Sequence, residues 1–230
     1  MNPAVLSKPA ILAAKERGDI DITPFNEKNL ANTSYDVTLG EYYYREQPPE
    51  SGYTIYNPWQ NSEVTRVWGK GYFQAVLFSE WKRKHGEHPQ LEKGIANNNK
   101  IIWLAPGETI LGHTNEFIGG KNGITTMMKA RSSIGRNFIT VCKCAGWGDI
   151  GYINRWTMEI SNASRHYHIP LIVGRRIAQI IFFPCEAIGN EDYYGQGGKY
   201  QVGGDIKKLT NSWHPSMMLP RLYEDREIKS

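Results

Sequence analysis

The sequence predicts a mainly β protein, a sandwich or barrel with one short helix at its N-terminus and a mixed segment inserted in the first half. Three observations carry this. From Ile101 onward the chain is a series of short β-rich runs cut by Gly and Pro at regular spacing, the pattern of antiparallel sandwiches and barrels. Only residues 7–17 and 72–84 read as helix. A length of 230 residues, 40% of them hydrophobic, suits one domain with a large insertion.

The elements follow in order. Ser7 is a candidate N-cap, Pro9 lies in the first turn, Ile11 and Leu12 follow, and Gly18 stops the helix. Ile20 and Ile22 alternate with Asp19, Asp21 and Thr23 as in a strand. Asn32 to Gly40 reads as a second strand. Residues 41–100 read as an insertion or arm. Within it Glu46 to Gly52 is a Pro-rich loop, Tyr72–Lys84 a helix, and Glu92 to Lys100 an Asn-rich loop. Strands then read at 101–104, 109–113, 156–161, 171–173 and 177–183. Residues 205–230, charged and holding Pro215 and Pro220, read as a tail that packs on the surface or on a neighbouring subunit. No internal repeat is visible.

Composition excludes several classes. No apolar run approaches the roughly 18 residues of a membrane span, and residues 1–8 lack the apolar core of a secretion signal. The expected location is the cytoplasm, of a host cell if the source is viral. The odd cysteine count of three, with Cys142 and Cys144 one residue apart, argues for reduced thiols over a disulfide framework. A net charge of +4 suits an anionic small ligand and is too modest for a dedicated nucleic-acid binder.

Chemistry concentrates between Arg131 and Glu159. Arg131-Ser132-Ser133-Ile134-Gly135-Arg136 supplies two guanidinium groups and two hydroxyls. A helical turn over Ser133 to Asn137 would point Ser132 and Arg136 the same way and offer backbone N–H groups to phosphate. A capped helix with solvated arginines explains the same residues about equally well. Asp149, between Gly148 and Ile150-Gly151, reads as a turn residue or as the acceptor of a sugar hydroxyl. Tyr152 is a candidate platform under that sugar. Along Trp156 to Ser161, alternation sends Trp156, Met158 and Ile160 to one face and Thr157, Glu159 and Ser161 to the other. Alone, Glu159 reads as a solvated strand carboxylate; its closeness in sequence to Arg131, Arg136 and Asp149 sets it apart.

These motifs resemble the dCTP deaminase branch of the trimeric dUTPase-like superfamily. Residues 130–136 match the family's Arg-Ser-Ser motif with its following arginine, and residues 145–152 match the Ala-Gly-x-x-Asp-x-x-Tyr element. Glu159 follows Asp149 by ten residues, as in dCTP deaminases. Residues 32–40, 104–108 and Gly198-Lys199-Tyr200-Gln201 are similar to three further family segments. Asn154 stands where the family usually has glycine.

The resemblance implies a dUTPase-like barrel or jelly-roll-type fold and hydrolytic deamination of dCTP to dUTP and ammonia without a metal at the base. It implies Glu159 as general base, Ser132 orienting water or base, and Arg136 holding Glu159 and stabilising charge. Arg131, Ser133, Lys199 and Gln201 would grip the triphosphate with help from Tyr194 or Tyr193, and Asp149 and Tyr152 would hold the sugar. Magnesium would ride on the phosphates. A homotrimer with sites shared between subunits and inhibition by dTTP are also implied. Ala145-Gly146-Trp147 looks more like the bifunctional branch, which forms dUMP.

Rival readings differ by sequence. Zinc deaminases need His-x-Glu and Pro-Cys-x-x-Cys. His85-Gly86-Glu87 gives the first half, but no cysteine lies three residues after Cys185, so no zinc site is expected. A pure dUTPase normally ends in Arg-Gly-x-Gly-Phe-Gly, of which Gly195-Gln196-Gly197-Gly198 is a loose echo. A deoxynucleotide-binding regulator is the non-enzyme alternative, and it gives no reason for Glu159 and Arg136.

Overall fold

The computed structural model describes residues 4–49, 52–186, 188–201 and 203–228. The chain opens with α1 (Lys8–Glu16) and β1 (Ile20–Thr23), then β2 (Tyr35–Thr38) and β3 (Tyr42–Arg45). The first half continues with α2 (Asn61–Trp68), β4 (Phe73–Gln74), β5 (Val76–Leu77), α3 (Phe78–His85) and α4 (Pro89–Glu92). Next come β6 (Lys100–Leu104), β7 (Thr109–Gly120), β8 (Ile124–Ala130), α5 (Ser132–Gly135), β9 (Ile139–Thr140) and β10 (Trp147–Gly148). The last elements are β11 (Ile153–Asn162), β12 (Ile169–Ile172), β13 (Arg176–Pro184), α6 (Tyr194–Gly197) and α7 (Ile206–Ser212).

The strands form three antiparallel sheets. One runs β4-β3-β7-β11-β9 with β1 also on β7, the second β10-β8-β13-β2, and the third β12-β6-β5. Alternation explains the core between the two larger sheets. Ile110, Ile118, Met158 and Ile160 of the first meet Val37, Met128, Ile180 and Phe182 of the second in one buried cluster. Burying each such side chain stabilises the fold by about 1.5–3 kcal/mol. Opposite the Trp156 position, β7 carries an irregularity between the pairs Arg155↔Phe117 and Thr157↔His113. The Thr114 hydroxyl fills it, accepting from the Trp156 N–H at 2.9 Å and donating to the Glu116 carbonyl at 2.7 Å.

The mainly β class matches the sequence reading, and several boundaries change. α1 forms as expected, although the Ser7 side chain makes no capping bond. The second strand covers only Tyr35–Thr38. The helix expected over residues 72–84 begins only at Phe78, because Tyr42↔Gln74 and Val76↔Ile101 pairing draws the preceding residues into strands. Residues 41–100 pack on the rest of the chain. β3 belongs to the main sheet, and Phe78 is buried with Ile101 and Ile172. Strands β3 to β5 and β8 to β10 are not expected from the sequence, and β7 and β11 are longer than it suggests. The C-terminal tail packs on its own chain through α7 and a 3-10 turn at Pro215–Met218.

Candidate active site

Glu159 stands on β11 between the fully buried Met158 and Ile160, so its side chain leaves the core on the opposite face. There it enters a cavity of about 350 Å3 shared with Asp149, Tyr152 and Tyr194. These four expected site residues are brought together. One carboxylate oxygen, Oε2, is buried with no hydrogen-bond partner in the chain. Burial holds the Glu159 carboxyl above its ordinary value, against smaller opposing effects of its own backbone N–H and of Lys143. Such a group is a proton acceptor tuned toward neutral pH. Its neighbour Cys142 is inert, since burial pushes that thiol up to about 12, with the Glu159 charge adding to the effect.

The loop before β11 owes its position to small residues. A Cβ on Gly146 would lie 2.4 Å from the Met128 carbonyl oxygen, and one on Gly148 2.4 Å from the Thr126 hydroxyl. The chain can lie against β8 only because both lack side chains, and Asp149 is thereby carried to the cavity. The Asp149 carbonyl accepts from the Tyr152 N–H at 3.0 Å, which turns the tyrosine back over the site. The Tyr152 ring meets Trp156 and Tyr194 edge-on at 5.2 and 5.0 Å. Burial raises both phenols, so each remains a neutral donor.

Other expected residues lie elsewhere. α5 forms where the helical turn is expected, but Ser132 and Ser133 on it and Arg136 at its C-cap are exposed, and none lines the Glu159 cavity. The expectation that Arg136 holds Glu159 is not met within one chain. Arg131 lines a second cavity with Thr38, Arg175 and Arg176. The buried Asp36 carboxylate braces it, 3.3 Å from Arg131 and 2.9 Å from Arg176.

Gln201 is buried and held by backbone. Its amide accepts from the Ile153 N–H at 2.7 Å and donates to the carbonyls of Gly151 and Gly203, both at 2.8 Å. In this way it pins the C-terminal segment. Asn154 pins the same segment, donating to the Tyr200 carbonyl at 3.0 Å. Lys199 is ion-paired with Asp225. Of the two candidate tyrosines, Tyr194 lines the cavity and Tyr193 bonds Asn122.

Sequence reasoning missed Leu111, Met218 and Pro220, which line the cavity. Leu111 is the register partner of Glu159 on β7, a relation that only strand pairing reveals. His85 stacks on Trp81 at 4.9 Å. Among the described residues, no three His, Cys, Asp or Glu side chains form a metal-binding cluster. Nor is any helix long and apolar enough to cross a membrane.

The profile of the dCTP deaminase-like family matches residues 5–185. The chain belongs to the dCTP deaminase-like family. It is 35% identical over 210 residues to a Dictyoglomus thermophilum protein named dCTP deaminase, dUMP-forming, across 89% of this chain and 94% of that one. A protein of the same name from Methanosphaerula palustris is 25% identical over 185 residues, across 80% and 83% of the two chains. Among solved structures, the 2'-deoxycytidine 5'-triphosphate deaminase of Agrobacterium tumefaciens superposes with a TM-score of 0.53 at 18% identity. That match covers 83% of this chain and 51% of the Agrobacterium chain, so the present chain spans about half the length of that neighbour. The likeness establishes a shared fold.

Proposed function

We propose that the protein is a dCTP deaminase in which Glu159 is the general base. One observation carries this reading: a half-buried carboxylate with an unpartnered oxygen, held above its usual pKa, faces a cavity lined by Asp149 and Tyr152. Glu159 takes a proton from water as the oxygen adds to C4 of cytosine, and passes that proton to N3. A second proton, from the added hydroxyl, travels to the amino group. The C4–N bond then breaks, and dUTP and ammonia leave. A tuned carboxylate contributes about 10²–10⁴-fold by such proton transfer. Asp149 accepts from the sugar hydroxyl, while Tyr152 packs beneath the sugar.

The exposure of Ser132, Ser133 and Arg136 supports a homotrimer with sites shared between copies. A neighbour's Ser132 would orient the water, and its Arg136 would stabilise the charge that builds at C4. Arg131 and Ser133, with Lys199 once freed from Asp225 and with Tyr194, would hold the triphosphate. Magnesium carried by the phosphates would neutralise part of their charge and take its other ligands from water. dTTP would compete for the same cavity. The three unpaired cysteines support a reducing compartment such as the cytoplasm.

A second reading is favoured by one observation: relatives named dCTP deaminase, dUMP-forming, align over most of the chain. In it, Asp149 also positions a water for attack on the phosphate, giving dUMP and pyrophosphate. Incubation with dCTP, dUTP and dCMP plus magnesium, resolved by ion-pair chromatography, separates the readings. Release of dUTP from dCTP supports the first, and dUMP with pyrophosphate the second. Turnover of dUTP alone would remove the role given to Glu159. No turnover would favour a deoxynucleotide-binding regulator.

A further inference from the structure

The C-terminal strap passes the Glu159 cavity with two side chains in its wall. Met218 and Pro220 line the cavity together with Leu111. Leu111 lies directly opposite Glu159 in the β7–β11 register. Directly opposed residues project from the same sheet face with Cβ atoms about 5 Å apart, so an apolar wall begins immediately beside the carboxylate. Met218, only 3% exposed, packs in one cluster with Leu111 and Tyr44. The strap is fixed on both sides of it. Before Met218, the Trp213 ring lies 4.6 Å from the Arg155 guanidinium and 4.6 Å from the His113 ring. After it, the Arg221 backbone N–H donates to the Tyr200 hydroxyl at 3.2 Å and its guanidinium to the Lys199 carbonyl at 2.7 Å.

Cytosine chemistry decides which edge of the base this wall receives. The reacting C4 has two ring neighbours: N3, a hydrogen-bond acceptor, and C5, which carries only hydrogen. With C4 at Glu159, an N3 turned toward Leu111 and Met218 would lose its partners and pay the desolvation penalty. The C5–H edge meets the same wall without loss. We propose that Met218 is a specificity-determining residue that limits the substituent accepted at C5 of the pyrimidine. The inference rests on the deaminase reading of this cavity. An unbranched thioether reaches into the cavity from a strap held on either side, so shortening it opens room for a methyl group at C5.

The test compares kcat/KM for dCTP and for 5-methyl-dCTP in the wild-type protein and in Met218→Ala, Met218→Val and Met218→Leu, with thermal melting as a check of folding. The ratio of 5-methyl-dCTP to dCTP is expected to rise about tenfold in the shortened variants, the scale on which pockets discriminate one methyl group. Met218→Leu, of similar volume, is expected to keep the ratio within about threefold. Met218→Val carries the test if Met218→Ala does not melt cooperatively. An unchanged or lowered ratio in the folded shortened variants would overturn the proposal. Absence of dCTP turnover by the wild-type protein would instead remove the reading on which it rests.

Discussion

Glu159 combines burial with an unsatisfied oxygen, and both have consequences beyond catalysis. Its carboxyl is held above the ordinary value chiefly by burial. Between the unfolded value and that raised value the folded state binds the extra proton, so this group's contribution to stability falls as pH rises through the window. The cost is complete above the raised value. Glu159→Gln is therefore expected to unfold at a higher temperature than wild type at pH 7.5, while deamination falls by about 10²–10⁴-fold and dCTP binding persists. Calorimetry beside a turnover assay checks all three, and undiminished turnover would sink the mechanism. His113 behaves oppositely. Burial lowers its imidazole from the usual 6.5 to about 4. The unfolded chain binds the proton first, so its share of stability is present above pH 6.5 and is lost as pH falls toward 4. Its NMR ring signals are expected to stay constant from pH 8 to about 5; titration near 6.5 would contradict the burial argument. Alternation alone places Glu159 on the strand face that leaves the core, whereas the role of Gln201 is not legible, because its distant backbone partners Gly151 and Ile153 reach it only after folding. Gln201→Ala should cost about 1–3 kcal/mol for each backbone group left unpaired, read by urea unfolding.

At the scale of elements, strands with clear punctuation were legible and those set by pairing were not. Ile101–Leu104 stops at Pro106-Gly107, and the strand is found there. Tyr42–Arg45 carries no such signal and becomes a strand because β7 offers its edge at Leu111 and Ile110. The segment before Phe78 departs from the expected helix for the same reason: apolar residues at mixed spacing suit either state, and β6 decides the matter through Val76 and Leu77. The strap is the element least visible in sequence. Its charged composition suggests a loose tail, yet Trp213 is held between Arg155 and His113. Trp213→Ala is expected to release it, costing about 2 kcal/mol from lost apolar burial and raising amide exchange across residues 206–225. Unchanged exchange there would show that other contacts hold the strap.

At the scale of the whole molecule, one chain gathers only part of the expected site in one cavity. Glu159, Asp149, Tyr152 and Tyr194 share a cavity, while Ser132, Ser133 and Arg136 lie exposed on α5 and its C-cap. Sequence spacing could not show this division, because neighbours in sequence at Arg136 and Glu159 are sent to different surfaces by β9, β10 and the loops around them. The symmetric oligomer proposed above would reunite them, each copy giving the carboxylate to one site and the arginine to the next. Light scattering is expected to find a trimer, and an active monomer would refute that assembly. The most direct measurement is complementation. Glu159→Gln and Arg136→Ala are each expected to be inactive on dCTP as pure proteins. Co-assembled in equal amounts, they are expected to regain about one quarter of wild-type deamination per site, the fraction in which an intact Glu159 faces an intact Arg136 across a random interface. Failure of the verified mixed oligomers to regain activity would contradict a site shared between copies.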